Sequence, residues 1–406
     1  MSEPAAPKRT RRFMLGILLI ILTLTLPTRH LSMAFAQSGT PPFEPDDLFS
    51  TSTPLPSLTG GPLLGGNTDA SAGVFIYNLA TGQQRELSFG PGDHWFGDFA
   101  PDGCHFAFLM SDANNQNIRL YTARLDGADV QELIDFTDDS GAVRWEVWSP
   151  DWSPSQGSAD ERIAFVLVRH YDDGAGQHSQ TTHIAGLSPT GGVPTIYSSS
   201  GTEGAPIWSP DGQWLAYTSY DFSNGWREND LWIVSADGST KNRLTDFATG
   251  STLFPRWSPN GETVSFIYAP SGNNHQFWTT PASGGAVQQW SGIWTLVLGY
   301  DWLPDGSGLV AAIKGWQDHD DNILWHIPLP GFADNDSTLY LADPAATAVD
   351  YPRFSLDGRY LAFRSAYSPM IYDTVSGELR LLADAGLNNS PLAWGPANFS
   401  GEQDCY

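Results

Sequence analysis

The chain has 406 residues, with 20 Lys or Arg against 45 Asp or Glu and a formal charge of −25 at pH 7. Such acidity repels phosphate backbones, so nucleic acid is set aside, whereas cationic partners or divalent cations suit the charge. Two cysteines are too few for a disulfide scaffold or a zinc cluster.

The N-terminus points to export. Lys8, Arg9, Arg11 and Arg12 precede the apolar run Phe13 to Leu26, and Ala34-Phe35-Ala36 supplies a small-x-small cleavage pattern. Fourteen residues at about 1.5 Å each reach about 21 Å, short of a hydrocarbon core of roughly 30 Å. Residues 1–36 are therefore predicted to be a signal peptide cleaved near Ala36, with retention as an anchor the alternative. No later segment has the length and apolarity to cross a membrane. Residues 37–72 are rich in Pro, Gly, Ser and Thr and are predicted to be a flexible leader.

One pattern then recurs. It reads Phe99-Ala100-Pro101-Asp102-Gly103, Trp148-Ser149-Pro150-Asp151, Trp208-Ser209-Pro210-Asp211-Gly212, Trp257-Ser258-Pro259-Asn260-Gly261 and Trp302-Leu303-Pro304-Asp305-Gly306. Weaker copies are Phe354-Ser355-Leu356-Asp357-Gly358 and Trp394-Gly395-Pro396. Successive aromatic positions lie 49, 60, 49, 45, 52 and 40 residues apart, the length of a four-stranded propeller blade. Pro-Asp-Gly is a tight-turn sequence, and alternating apolar strands such as Phe106-Ala107-Phe108 and Leu215-Ala216-Tyr217 follow it. In the second copy the turn is read as swollen by Trp152 to Glu161 before Ile163-Ala164-Phe165 resumes the register. A second hairpin follows each pair, as at Ile118 to Tyr121 with its turn Asp126-Gly127.

The fold class expected is all-β, a β-propeller over residues 73–406 with seven four-stranded blades, or six if the degraded tail forms no strands. The hairpin around Phe75-Ile76-Tyr77 lacks an inner hairpin, and the copy at Trp394 lacks an outer one. The ring is therefore predicted to close with N-terminal outer and C-terminal inner strands in one blade. Cys104 and Cys405 fall in neighbouring blades on this scheme. A disulfide across about 300 residues would contribute on the order of 5 kcal/mol, and two free buried thiols are the alternative.

These residues resemble the WD-like repeat of the TolB family, the periplasmic propeller of the Tol–Pal envelope system. Pro206-Ile207-Trp208-Ser209-Pro210-Asp211-Gly212 is similar to a full copy, and Pro255-Arg256-Trp257 and Pro352-Arg353-Phe354 carry the same lead-in. The resemblance implies an extracytoplasmic propeller, and the repeat is specific for architecture rather than activity. Residues 37–72 are too short for the α/β domain that precedes the propeller in TolB. A similar propeller caps the prolyl oligopeptidase family, but no Gly-x-Ser-x-Gly elbow occurs here.

Recognition is expected on the longer connections between hairpins and between blades. Tyr171, Asp172, Tyr220, Trp226, Arg227, Trp316 and His319 are the candidate ligand-binding residues, since exposed aromatic rings stack on sugars or anchor protein partners. His170, His275 and His319 are candidate metal ligands from different blades, although no His-Glu-x-x-His or calcium-loop spacing accompanies them. No catalytic residue and no cofactor is assigned, a divalent cation being the one candidate. The function expected is an exported, monomeric, non-catalytic binding protein for a protein, peptide or glycan. The alternatives are a metal-dependent propeller enzyme such as a polysaccharide lyase, and an envelope assembly component of TolB type.

Overall fold

Short aromatic and β-branched runs that end every few residues in Gly or Asp-Gly turns cannot make helices of useful length, and they make strands instead. The computed structural model describes residues 57–405 apart from 59, 69–72, 115–116, 135–141, 156–160, 173–177, 199–202, 222–227, 273, 293–295, 317–318, 330–335, 342, 344–345, 347, 367, 383–391 and 398. The predicted signal peptide lies outside the described residues. Among the described residues, no helix is long and apolar enough to cross a membrane.

The strands fall into antiparallel groups of four. Unit 1 is His94–Phe99, His105–Ser111, Ile118–Arg124 and Gln131–Glu132. Unit 2 is Arg144–Trp152, Ile163–Asp172, His178–Leu187 and Thr195–Ile196. Unit 3 runs Glu203–Trp208, Trp214–Asp221, Glu228–Ser235 and Lys241–Arg243. Unit 4 runs Ser251–Trp257, Thr263–Ala269, Gln276–Pro281 and Gln288–Gln289. Unit 5 comprises Leu296–Trp302, Gly308–Trp316, His319–Pro328 and Thr338–Leu339. Unit 6 comprises Val349–Phe354, Tyr360–Ser365, Ser368–Asp373 and Leu379–Leu381. The closing unit joins Ala393–Trp394 to Leu63–Asn67, Val74–Asn78 and Gln84–Leu87. Single parallel pairs, Ile118 with Glu146 and Asn229 with Ser251, tie unit 1 to unit 2 and unit 3 to unit 4.

The core follows from strand alternation. Phe106 and Phe108 enter a cluster with Leu63, Val74 and Ile76 of the closing unit, while Ala107 between them joins Val147 and Trp152 of unit 2. Each of the buried clusters among the described residues draws on two consecutive units in this way. One of them joins Ala362 and Ile371 of unit 6 to Leu64 and Phe75 of the closing unit.

Three sequence expectations need correction. The first concerns residues 37–72, which were predicted to be wholly flexible. Leu63–Asn67 is instead a completely buried strand. Its glycines make room for rings: a Cβ on Gly65 would sit 2.3 Å from the Phe96 ring, and one on Gly66 would sit 2.7 Å from Phe75. The second correction follows, because the closing unit takes three strands from the N-terminal side and one from the C-terminal side, not two from each.

The third is a register shift in unit 2. Trp152, not Trp148, pairs with Ile163, and Asp151 pairs with Ala164, as Phe99 and Asp98 pair with Phe106 and Ala107 in unit 1. The sequence Trp148-Ser149-Pro150-Asp151-Trp152-Ser153-Pro154 holds two consecutive copies of the motif, and the second one makes the turn. The Ser153 N–H donates to the Arg162 carbonyl, just as Ser209 N–H does to Trp214 in unit 3. Ser149 and Pro150 form a bulge in the first strand, with Ser149 at φ 50°.

The C-terminal segment is held at several points. Glu402 and Arg85 form a buried ion pair, and the Leu58 N–H donates to the Glu402 carboxylate at 2.8 Å. Cys104, just after the first turn, is disulfide-bonded to Cys405, with Cα atoms 5.4 Å apart. Serine at both cysteines should lower the unfolding free energy by about 3–5 kcal/mol, because the cross-link spans 301 residues. Denaturant titration with and without reductant checks this, and reduction of the native chain should give the same shift. Gly65→Ala should cost about 1–3 kcal/mol in the same assay through the clash with Phe96.

Candidate functional site

Each unit has two unlike ends. At one lie the short turns, Pro-Asp-Gly in units 1, 3 and 5, Pro-Asn-Gly in unit 4 and Leu-Asp-Gly in unit 6, which their own side chains lock. In unit 3, Asp211 accepts from the Gln213 N–H at 3.0 Å, Ser209 Oγ accepts from the Trp214 N–H at 2.9 Å, and Gly212 takes φ 68°. At the other end lie the links between middle strands and between units. There the hairpins differ in length: each middle strand is 10 residues in unit 2 but 6 in unit 6.

Of the predicted ligand residues, Tyr171, Asp172, Tyr220, Trp316 and His319 sit on the longer hairpins. Tyr171, half-buried, pairs with Ser179, and Asp172 pairs with His178, whose Nδ1 is 3.8 Å from the carboxylate. Tyr220 pairs with Asn229 at the end of the unit 3 hairpin, and Trp316 pairs with His319 at the end of the unit 5 hairpin. Trp226 and Arg227, and the side chains of Tyr220, Trp316 and His319, lie outside the described residues.

Two of the three histidines considered as metal ligands have other partners among the described residues. His275 is buried, and its Nδ1 accepts from the Val297 N–H at 3.0 Å, joining unit 4 to unit 5. Burial holds its pKa below the ordinary value, so the ring is a neutral acceptor. His170 Nε2 lies 3.1 Å from Glu146 Oε1. Among the described residues, no group of three or more His, Cys, Asp or Glu side chains converges as a metal site.

His170 belongs instead to a cluster that sequence reasoning missed. Arg144 and Glu146 alternate along the first strand of unit 2, and Arg144 bonds Glu146 Oε1 at 2.5 Å. Trp148 Nε1 donates to Glu146 Oε2 at 3.0 Å, and Trp148 meets Trp95 of unit 1 edge-on at 5.7 Å. The Arg169 guanidinium lies 4.9 Å over the Trp145 ring. Burial, then the Arg144 charge, lowers the His170 pKa against the pull of Glu146. The alternation of charged and aromatic residues from Arg144 to Trp148 was the available signal, and the repeat motif absorbed it. An arginine, a carboxylate, a neutral imidazole and indole faces together suit recognition of a polar ligand.

Deeper in, Asp98, Asp151 and Asp301 occupy the position before the aromatic residue of the first strand, where units 4 and 6 have Arg256 and Arg353. Each carboxylate reaches the next unit. Asp98 accepts from the Trp152 N–H at 3.0 Å, Asp151 from Trp208 at 2.6 Å, and Asp301 from Phe354 at 2.9 Å. Some solvent exposure remains at each, yet the surrounding protein is dense enough for burial to dominate titration. Burial raises Asp151 to about 7 and Asp301 to about 6, and burial with the Asp151 charge raises Asp98 well above the carboxylate range.

No family model matches the chain. The Tol-Pal system protein TolB of Desulfosudis oleivorans is 30% identical over 139 residues, 34% of this chain and 28% of that protein. The chain carries TolB-like propeller repeats. The oligogalacturonate lyase of Dickeya dadantii is 22% identical over 233 residues, 53% of this chain and 55% of the lyase. A solved oligogalacturonate lyase from Vibrio parahaemolyticus superposes with a TM-score of 0.54 at 16% identity, covering 76% of this chain and 84% of that one. The chain spans about half or less of the curated relatives it matches. In the TolB-like repeat the lead-in prolines Pro150, Pro206, Pro255 and Pro352 all fall in first-strand register shifts, where a missing N–H costs no ladder bond.

The raised carboxylates predict a pH signature for this TolB-like propeller. A folded pKa above the ordinary 3.8 means that Asp151 favours folding most at low pH, and that this contribution is lost as pH rises through about 7. Asp151→Asn keeps an acceptor for the Trp208 N–H and removes the titration. Its melting temperature minus that of the native chain should therefore rise between about pH 4 and 7 and level off above. A difference that does not change with pH would contradict the assignment.

Proposed function

We propose that the chain is an exported, monomeric, non-catalytic binding protein whose loop end recognises a protein, peptide or glycan. The seven units are read as blades of one ring, closed where Trp394 pairs with Leu64. The buried clusters support that reading, since they link unit 1 to unit 6 in order and return through the closing unit. Export is supported by the basic-then-apolar N-terminus and by the Cys104–Cys405 disulfide, which requires an oxidising compartment. Cleavage near Ala36 belongs to this proposal, and an envelope assembly role of TolB type is an alternative to it.

The observation that carries the reading is the placement of Tyr171 and Asp172 on the lengthened unit 2 hairpin that also supplies His170 to the Arg144–Glu146–Trp148 cluster. Rigid aromatic and arginine anchors on a braced scaffold are what binding hot spots use. Once a glycan array or an envelope-protein panel yields a ligand, Tyr171→Ala and Arg144→Ala should each weaken it about tenfold or more without lowering the melting temperature by more than a few degrees. Equal binding by both variants would remove the loop end from the function.

A second reading is favoured by the likeness to oligogalacturonate lyases in sequence and fold. It makes the same end a lyase site for uronide chains. Trigalacturonate incubated with the protein and a divalent metal discriminates: eliminative cleavage, read as unsaturated product, would overturn the non-catalytic reading.

A further inference from the structure

The units press together at their turn ends through a repeated contact. The proline of one turn faces the turn glycine of the next unit, where a Cβ would meet it. A Cβ on Gly103 would lie 2.9 Å from Pro396, one on Gly261 3.6 Å from Pro210, and one on Gly358 2.6 Å from Pro304. Gly306 of unit 5 breaks the series, with nothing within 4 Å of its would-be Cβ. Indole contacts also change there, as they do at Trp152, whose Nε1–H donates to Glu161 of its own unit. Trp208, Trp257 and Trp394 each donate Nε1–H to a carbonyl of the preceding unit, on Asp151, Ile207 and Arg353. For Trp302 the corresponding carbonyl belongs to Arg256, and the Ser265 hydroxyl occupies it at 3.2 Å.

A cleft of about 690 Å³ opens at this seam, between Pro259 of unit 4 and Gly306 of unit 5. That volume lies in the range of small-molecule sites. Two of its lining residues carry buried polar atoms with no partner among the described residues, Trp302 Nε1 and Thr280 Oγ1. Trp302 is 6% exposed and Thr280 1%. A buried polar atom left unpaired costs free energy, and a ligand group that reached these two from the cleft would recover it.

The lining narrows the class of ligand. It offers hydroxyls from Ser258, Thr263 and Thr279 and amides from Asn260 and Gln288, with proline walls and, among the described residues, no basic side chain. Its charged group is Asp305, whose pKa the Ser307 hydroxyl and N–H hold below the ordinary value, so it is ionised at neutral pH. Phosphates and uronates would meet that carboxylate, and no lysine or arginine stands among the described lining residues. We propose that the seam between units 4 and 5 is a binding site for a neutral oligosaccharide, whose hydroxyls serve as donor to one orphan and acceptor to the other.

This site lies at the opposite end of the units from the loop-end site, so the two are separable by experiment. Maltotriose, cellotriose and chitotriose are titrated at up to millimolar concentration into the protein lacking residues 1–36, followed by calorimetry and tryptophan fluorescence. At least one should bind. Thr280→Val and Trp302→Phe should each weaken that sugar about tenfold, as expected for one lost hydrogen bond. Ala286→Trp, which fills the cleft from an exposed position, should abolish binding with the melting temperature kept, and Tyr171→Ala should leave it intact. No binding by any of the three sugars overturns the proposal. So does binding that survives Ala286→Trp, binding lost in Tyr171→Ala alone, or a cleft that takes a proline-containing peptide in place of the sugars.

Discussion

The fold rests on how one four-stranded unit grips the next at the end of its first strand. The aromatic residue there has its backbone N–H held by an aspartate of the preceding unit, at Trp152, Trp208 and Phe354. Where the residue is Trp208, Trp257 or Trp394, its indole N–H also reaches a carbonyl of the preceding unit. These bonds lie beside the apolar clusters shared by neighbouring units, where water competes poorly for them. A four-stranded sheet alone buries too little to fold, so stability comes from interfaces between repeats. The aspartates stand at a cost in solvation, which is why their pKa values rise.

That grip leaves the two ends of the molecule free to differ. Turn ends are constrained by proline, glycine and Asp or Asn side chains that satisfy the local backbone. Loop ends carry no such constraint, and hairpins there lengthen in units 2, 3 and 5. The seam between units 4 and 5 departs from the rule at the turn end. Tyr300 stands where four other first strands have proline, and its hydroxyl bonds both Ser265 and the Phe254 carbonyl. Units 4 and 5 are thus joined deep in the interface, while the space above remains open.

The chain ends are secured by a different means. The last strand has only two residues, Ala393 and Trp394, too little to hold by ladder bonds alone. The buried Arg85–Glu402 pair and the Cys104–Cys405 bridge supply what the short ladder lacks. An ion pair so placed is costly to break from one side, because the surviving charge is left without water.

Much of this was legible in the order of residues. The spacing of aromatic–Ser–Pro turns and the two-residue alternation after them specify four-stranded repeats, because both periods are imposed by local backbone geometry. Proline, glycine and Asp act within a few residues, so their turns could be placed without knowing the fold. What needed the tertiary structure were choices among local alternatives. Trp148 begins the fuller copy of the motif and Trp152 a shorter one, and only pairing across to Ile163 selects the second. Gly65 and Gly66 look like linker until the Phe96 and Phe75 rings fill the space they leave. The Arg144–Glu146–His170 cluster and the gap above Gly306 depend on side chains from separate strands or units, and no window of sequence contains both sides of such a contact.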